Sequence, residues 1–495
     1  LPWPIDQASH RVSAMTIVPF GEWTPDLAEY GSQGASVATN VRPHFGSYRP
    51  FPNLGSNVSD ALTLRARGAI STVGDDGAVV TIAGDRTTLN HLVGSTWNNV
   101  SISGNYNLPE EEGWEFEFFG NKIIAATITT QLQGYAVGAG ASTLFTNLVD
   151  GTLRPSARHV AVISRFVLIG NVEEGGTRFP NRVRWSGIDD ETDFDQAAAT
   201  LSGSQDIEGE FGWIQKIIGG QRFGTLICER GILRITFVGT PEVFTILPVE
   251  KQRGTIAPGS VIGWGRDIYF LDSDGFYKWD GGAAIPISHG KVSQFFFDNY
   301  NSTFVHRITS AIDPVNSLVI WGFVSTSASG GAPDPDRILM YHWPSNRWAL
   351  AEVTNEIVFT GLSAGVSLEG LDSISTSIDA LTFSLDASVY AGGVSQLAAF
   401  NSSKQMAFFD GSNLAATLET GRVSLGGTRR SLVAGFRPLI DGGTITGQIA
   451  GTERLNDSET FDSSISQQTS GIIPAKNRAR YQKFRASVAA SGTWS

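Results

Sequence analysis

The chain has 495 residues, a formal net charge of −12, 56 glycines and a single cysteine, Cys228. One cysteine excludes an internal disulfide and a cysteine-based zinc site. The net negative charge argues against a protein that binds nucleic acid phosphates over its whole surface. Only 17% of the residues are charged and 41% are hydrophobic, a turn-rich and charge-poor composition that favours an all-β fold over a helical one.

Residues 1–60 predict an irregular N-terminal arm or clasp. Pro43, Pro50 and Pro52 stand there among arginines and aromatic residues, and proline is excluded from central strands. The first residues lack the basic and apolar regions of a secretory signal peptide. No stretch approaches the roughly 18 continuous apolar residues of a membrane span, so no membrane anchor is expected.

Residues 61–425 are dominated by a repeat of short strands. Each copy has an apolar strand, a turn, a second strand that often contains an aromatic residue, another turn and a third strand. Seven copies cover residues 78–103, 121–148, 164–188, 223–249, 267–288, 316–353 and 395–420. Starts roughly 40–60 residues apart are close to the spacing of propeller blades, which bury one another's faces in a ring. The sequence predicts an all-β, β-propeller-like ring of about six to eight blades, with a sandwich or another multidomain β arrangement as the alternative.

The best internal match lies at the second turn of the repeat, in "FYKWDG", "MYHWPS" and "MAFFDG". The Asp-Gly pairs suit tight turns, because glycine and aspartate tolerate positive φ angles. The aromatic residues of such units are predicted to anchor blade packing. The tryptophan anchors predicted in this way are Trp185, Trp279, Trp343 and Trp348.

Residues 426–495 predict a small C-terminal β subdomain or strands that close the ring. They contain the one basic stretch of the chain, "AKNRARYQKFR". Its candidate contact residues are Lys476, Arg478, Arg480, Lys483 and Arg485. Three interpretations stay open: contact with DNA phosphates, contact with an acidic neighbouring subunit, or a solvated edge strand protected by its charges.

An acidic stretch, "LPEEEGWEFEFF", precedes and enters a predicted strand with one wet and one dry face. Two carboxylates from such a strand could serve a glycoside hydrolase, but a solvated face is the simpler interpretation. Aspartate-rich turns at 187–196 and 271–277 suit either calcium or Asx-turns, and "DSDG" lacks the later ligands of an EF-hand. No zinc-protease, nucleophile-elbow, dinucleotide or P-loop motif occurs. We therefore predict no catalytic residue, no metal ligand and no cofactor, and a protein that is not an enzyme.

Five segments resemble a known family: residues 20–54, 95–101 ("STWNNVS"), 181–194 ("NRVRWSGIDDETDF"), 270–282 ("FLDSDGFYKWDGG") and 480–495. They are similar to the tail nozzle or hub proteins of short-tailed bacteriophages, also called packaged-DNA stabilisation proteins. The similar pieces occur in order along nearly the whole chain.

The resemblance implies a β-propeller subunit that assembles as a homo-oligomeric ring, usually a hexamer, in the tail of the virion. Such a ring binds the portal-adaptor protein, surrounds the genome channel, retains double-stranded DNA without sequence specificity, docks tail fibres or spikes, and opens for DNA ejection. It is assembled in the host bacterial cytoplasm, which suits a chain with one cysteine. Net negative charge would let phosphates slide through the channel.

Two alternatives remain beside this structural role. One is a carbohydrate-binding β-propeller that uses exposed tryptophans as stacking platforms. The other is a propeller-type glycoside hydrolase with two carboxylates on inner strands.

Overall fold

The computed structural model describes residues 15–75, 77–102, 106–149, 151–363 and 392–495. Two compact units make up the chain: Thr39–Leu414, and a smaller unit that combines Leu1–Ala38 with Ala415–Ser495. Strand β1 (Ala35–Thr39) lies at their boundary, and the hairpin of β2 (Val41–His44) and β3 (Ser47–Pro50) opens the larger unit. These boundaries differ from the predicted ones at 60/61 and 425/426. The predicted arm is divided between the two units, and its residues 1–14 lie outside the described residues.

The larger unit contains six blades, each made of four consecutive antiparallel strands. Five of them are separate four-stranded sheets, and the strands of the sixth belong to a longer sheet. Blade 1 comprises β4 (Ala69–Val73), β5 (Val79–Gly84), β6 (Leu89–Val93) and β7 (Thr96–Asn99). Blade 2 comprises β8 (Glu115–Phe119), β9 (Lys122–Thr127), β10 (Thr130–Ala136) and β11 (Thr146–Asn147). Blade 3 comprises β12 (Ser156–Ile163), β13 (Phe166–Glu174), β14 (Thr177–Trp185) and β15 (Gly203–Asp206).

The other three four-stranded blades follow in the same way. Blade 4 comprises β16 (Ile214–Ile218), β17 (Phe223–Cys228), β18 (Ile232–Phe237) and β19 (Phe244–Glu250). Blade 5 comprises β20 (Ile262–Trp264), β21 (Asp267–Asp272), β22 (Gly275–Trp279) and β23 (Ala284–Pro286). Blade 6 comprises β24 (Thr309–Asp313), β25 (Leu318–Phe323), β26 (Arg337–His342) and β27 (Arg347–Ala351).

A three-stranded closing sheet completes the ring. It comprises β28 (Ile357–Leu362), β29 (Ser395–Phe400) and β30 (Met406–Phe408). An isolated antiparallel bridge joins Asn57 to Ala407 of β30, and Leu62 and Ala66 from the segment before blade 1 share its apolar core. A segment from the start of the larger unit thus packs on its last sheet, which ties the two ends of the ring together.

The first strand of each sheet lies innermost. β4 contacts β8, β8 contacts β12, β12 contacts β16, β20 contacts β24, and β28 contacts both β24 and β4. Apolar side chains fill the spaces between neighbouring blades, with separate clusters between blades 1 and 2, 2 and 3, 3 and 4, and 4 and 5. The prediction of an all-β, propeller-like ring of about six to eight blades is confirmed.

The predicted repeat has the right period but begins one strand late. Residues 121–148, for example, contain β9–β11, while the inner strand β8 precedes them. The last predicted copy, residues 395–420, is wrong in its third strand, because β31 (Ala416–Thr420) pairs in the sheet of the smaller unit. Inner strands carry polar residues toward the axis, such as Glu115 and Glu117 of β8 and His159 of β12, so their sequences differ from the apolar runs that define the predicted copies.

The smaller unit adds β32 (Ser431–Val433), β33 (Ile445–Thr452), β34 (Ile465–Ser466), β35 (Asn477–Ala479) and β36 (Tyr481–Val488). Its main sheet has the order β1-β31-β36-β33-β34, and β32 pairs with β35 in a separate ribbon. Buried Ile449, Ile473 and Phe484 belong to its core. Both terminal regions of the chain therefore contribute to one fold, which is larger than the predicted subdomain of residues 426–495.

Helix is scarce. Within the described ranges, α1 (Ser293–Asn299) is the one α-helix, and two 3-10 turns cover Pro258–Ser260 and Ser302–Arg307. No helix of those residues has the length and apolar character needed to cross a membrane.

Candidate functional site

The inner strands of blades 2, 3 and 4 bring four ionisable side chains together, which we call the axial cluster: Glu115 and Glu117 on β8, His159 on β12 and Lys216 on β16. Strand alternation puts the two glutamates on one face of β8, while Phe116 and Phe118 on the other face pack against the apolar core between blades 1 and 2. The side chain of Glu115 is only 15% exposed. The expectation of a solvated face is wrong here, because this face meets the neighbouring inner strands.

Glu115 bonds to two basic side chains from two other blades. Its Oε2 lies 2.9 Å from Nδ1 of His159, and its Oε1 lies 3.0 Å from Nζ of Lys216. Burial by itself would raise the pKa of Glu115, but the charge of Lys216 and the hydrogen bond from His159 outweigh burial and keep that pKa below its usual value. The carboxylate is therefore ionised at neutral pH.

His159 is fully buried, and burial lowers its pKa despite the nearby carboxylate. A neutral imidazole beside an ionised carboxylate must carry its proton on Nδ1 and donate it to Glu115. Its Nε2 has no hydrogen-bond partner within the described residues. Glu115 thus fixes both the tautomer and the orientation of the ring.

Glu117 differs from Glu115 although it lies two residues away on the same strand. Burial raises its pKa to about 7, and the negative charge of Glu115 adds to the effect, while the backbone N–H of Phe118 opposes it. Two carboxyl groups on one face of β8 are therefore held in different protonation states near neutral pH. Such separation of pKa values is the arrangement used for acid–base chemistry, although structural networks also produce it.

A second charged group lies where the chain enters the inner strands of blades 1, 2 and 6, and we call it the mouth cluster. Arg67 Nη2 lies 2.7 Å from Oε2 of Glu110, and the other oxygen of Glu110 accepts a hydrogen bond from Arg307. Arg307 is 3% exposed and also donates to the carbonyls of Ala332 and Pro333, at 3.0 and 2.8 Å. Glu110 therefore joins segments that precede blades 1, 2 and 6.

The mouth cluster extends to the closing sheet through Glu356, which immediately precedes β28. Arg65 Nη2 donates to the Glu356 carbonyl at 2.7 Å, and the N–H of Ala66 donates to its carboxylate at 2.8 Å. Arg65 Nε also donates to Asp334 at 3.2 Å. Burial raises the pKa of Glu356 to about 7, and the charge of Asp334 adds to that rise.

The aspartate-rich turns are occupied by protein donors. Asp195 accepts from the backbone N–H groups of Thr152 and Leu153 at 2.9 and 2.8 Å, and Asp272 and Asp274 both pair with Arg253. The described residues contain no group of three or more histidine, cysteine, aspartate or glutamate side chains that could hold a metal ion.

The four tryptophans predicted as blade anchors occupy two kinds of position. Trp185, Trp279 and Trp348 are buried, and the indole N–H of each donates to a backbone carbonyl. For Trp348 that carbonyl belongs to Ile287, in the segment that follows blade 5, so this residue joins two blades. Trp343 is half-buried and lies 6.2 Å, centroid to centroid, from the exposed ring of Trp264.

The five predicted basic contact residues are not all on one surface. Lys476 and Arg478 are exposed at the β32–β35 ribbon, and Arg480 is half-exposed and donates to the Thr428 carbonyl at 3.0 Å. Lys483 and Arg485 lie on β36 and pair with carboxylates of the smaller unit, Glu419 among them. The structure therefore brings three of the five together at the ribbon and commits the other two to intramolecular ion pairs.

No family model matches this chain, and a search of curated proteins returns no relative. Solved structures with a similar course of the chain include the computationally designed Ika8 protein, with 10% identity, 72% of this chain and 99% of that chain covered, and a TM-score of 0.37. BBS1N in complex with ARL6DN has 9% identity, coverage of 73% and 97%, and a TM-score of 0.41. BamB from Moraxella catarrhalis has 12% identity, coverage of 74% and 92%, and a TM-score of 0.36. These similarities carry no argument about function.

Sequence reasoning identified the acidic stretch that contributes to both clusters but missed the basic partners of its glutamates. His159 lies 44 residues from Glu115 along the chain, and Arg307 lies 197 residues from Glu110. Neither belongs to a local motif. The packing of neighbouring blades 2 and 3 brings His159 to Glu115, and the arrangement of the blades around one axis brings Arg307 to Glu110.

Proposed function

We propose that this chain is a structural subunit of a bacteriophage tail, part of a nozzle or hub ring. The ring would form the genome channel, retain packaged double-stranded DNA, dock fibres or spikes, and open for ejection. The observation that carries this proposal is the ordered resemblance of five segments to the nozzle family, at residues 20–54, 95–101, 181–194, 270–282 and 480–495. Those segments fall in both units of the chain, and the propeller fold agrees with what the resemblance implies.

The charged clusters support a structural role for the propeller axis. Glu115 links three inner strands, and Glu110 links segments that precede three blades. Paired charges of this kind stabilise the contacts between blades at their inner ends, and their side chains lie near the axis. A channel wide enough for a duplex would then have to lie between subunits, as in a closed ring of identical copies.

Mass measurement tests this proposal. Light scattering and negative-stain imaging of the purified chain, alone and with the portal-adaptor protein, should show rings of several hundred kilodaltons, on the order of six copies of a 53.0 kDa subunit. A chain that stays monomeric in both conditions and binds immobilised glycans would overturn the proposal. Portal and adaptor genes next to the gene for this chain would add support.

The alternative of a glycoside hydrolase is favoured by one specific observation, the pair Glu115 and Glu117. In that function the protonated Glu117 would be the general acid and the ionised Glu115 the nucleophile or base. Incubation with a panel of oligosaccharides, followed by measurement of reducing ends, separates the two proposals. The structural proposal expects no release; release that is lost in both Glu115→Gln and Glu117→Gln would replace it with the enzyme.

A further inference from the structure

The smaller unit carries a concentrated positive charge on the two-stranded ribbon of β32 and β35. In this ribbon Leu432 pairs with Arg478, between the pairs Ser431 with Ala479 and Val433 with Asn477. Val433 and Ala479 are buried, whereas Leu432 and Arg478 are exposed. Cross-strand partners share a face, so the face that carries Leu432 and Arg478 points to solvent.

Basic residues also flank the two strands and, apart from half-buried Arg480, are exposed. Arg430 and Arg480 flank the ribbon at one end, Lys476 flanks it at the other, and Arg429 adjoins Arg430. We call Arg429, Arg430, Lys476, Arg478 and Arg480 the basic ribbon. The whole chain has a net charge of −12, so this cluster of positive charge is a local exception to its overall negative charge.

Most of these charges have no carboxylate partner. Within the described residues, Arg429, Lys476 and Arg478 form no salt bridge, while Arg430 pairs with Glu453 at 3.0 Å. Lys483, by contrast with these exposed residues, is buried and contacts three carboxylates of the same unit. The ribbon and its flanking residues therefore present exposed and largely unpaired positive charge, although Arg437 and Arg454 of the same unit are also exposed and form no salt bridge within the described residues.

The geometry of the ribbon suits a polymer of phosphates. Alternate residues of a strand are about 6.7 Å apart, close to twice the axial rise of about 3.4 Å per nucleotide along one DNA strand. A two-stranded β-ribbon is also narrow enough to enter the major groove of a duplex. Among the described residues of the two strands, Leu432 is the one large exposed hydrophobic side chain. This is too little for the apolar centre of a standard protein interface, which buries about 800 Å² on each partner.

We propose that the basic ribbon binds the phosphate backbone of double-stranded DNA without sequence specificity. This inference deepens the proposed function, in which the ring retains double-stranded DNA, by naming a surface that would contact the phosphates. The basic ribbon lies in the smaller unit alone, so a chain that stays monomeric and binds glycans would overturn the proposed ring and leave DNA binding by the ribbon open to test.

The test measures binding of a fluorescently labelled duplex of random sequence to the full chain, as anisotropy over a range of salt concentrations. Contacts with four or five phosphates predict a slope of about −4 in a plot of log binding constant against log salt. The triple variant Arg429→Ala, Lys476→Ala, Arg478→Ala should lose at least tenfold in affinity at low salt and make the slope about 3 less steep. These three side chains are exposed, so the variant should fold, which its unfolding midpoint verifies.

The matched control is the triple variant Arg222→Ala, Lys251→Ala, Arg266→Ala, which removes three exposed basic residues of the propeller and changes net charge equally. It should bind DNA as tightly as the unchanged chain. No DNA binding at low salt, or equal losses in both variants, would overturn the proposal. So would a ribbon variant that binds DNA normally but no longer self-associates in sedimentation velocity, because the ribbon would then be a contact between copies of the chain.

Discussion

His159 and Glu115 lie on the inner strands of neighbouring blades, with Nδ1 of the imidazole 2.9 Å from Oε2 of the carboxylate. The second oxygen of Glu115 lies 3.0 Å from Nζ of Lys216 on the next blade. One carboxylate therefore connects three blades near the axis. Hydrogen bonds to charged groups in partly dry surroundings are stronger than neutral ones, so this contact should matter for the stability of the ring.

Replacing Glu115 by glutamine should lower the free energy of unfolding by about 2–4 kcal/mol at pH 7. The amide cannot balance the charge of Lys216, whose side chain is only 23% exposed, and it can accept from only one of the two donors. Urea denaturation followed by fluorescence measures the change. As a control, Asp189→Asn removes an ion pair with Arg165 whose side chains are 50% and 62% exposed, and it should cost less than about 1 kcal/mol.

The carboxyl group of Glu117 should make stability depend on pH. Its pKa of about 7 in the folded chain lies above the ordinary value of 4.5, so the folded state binds more protons between these two pH values. Stability from this group is present in full below pH 4.5 and is lost as pH rises to about 7. Glu117→Gln should therefore be more stable than the unchanged chain at pH 8, by up to about 3 kcal/mol, and similar to it at pH 4.5.

Denaturation curves at pH 4.5, 6 and 8 check this dependence on pH. The control variant Glu242→Gln removes an exposed carboxylate of blade 4. It should leave the free energy of unfolding unchanged at all three pH values. A Glu117→Gln variant that gains nothing between pH 4.5 and 8 would show that the carboxyl of Glu117 is solvated in the folded chain.

Trp279 tests the packing of the hairpin between β22 and β23. Its side chain is 2% exposed, and its indole N–H donates to the Gly282 carbonyl at 2.8 Å. Trp279→Ala should cost about 3–5 kcal/mol because it leaves a cavity between blades 4 and 5. Trp264 is 44% exposed, so Trp264→Ala should cost less than about 1 kcal/mol, and equal costs for the two variants would contradict the assigned packing.

Replacement of Lys483 tests whether the basic stretch contains both buried, ion-paired residues and exposed ones, as the structure indicates. Nζ of Lys483 lies 2.7 Å from Glu29, 3.4 Å from Glu419 and 3.1 Å from Glu459, and its side chain is 6% exposed. Lys483→Met would leave three carboxylates without their shared cation and should destabilise the smaller unit by about 3 kcal/mol. The exposed Arg478 offers the comparison: Arg478→Met should change thermal stability by less than about 0.5 kcal/mol.

Much of the propeller could be predicted from local patterns. The apolar alternation and the aromatic second strand of each repeat correspond to real blades, and the "WDGG" turn is a hairpin turn in which Gly281 takes a φ of +104°. The inner strands could not be predicted in this way. Their sequences mix polar and apolar residues because one face meets the axis. Alternation predicts β8 as a strand but does not assign it to blade 2.

The sequence by itself determined the strand-rich composition, the period of the repeat and the turns, because backbone sterics and side-chain alternation act over a few residues. Only the tertiary structure decided that Glu115 faces His159 and Lys216, that Lys483 is buried, and that Arg478 lies on an outward face. Those outcomes depend on which distant strands become neighbours. Ring closure and strand register set that arrangement, and the charge of a residue does not reveal the partner that will neutralise it.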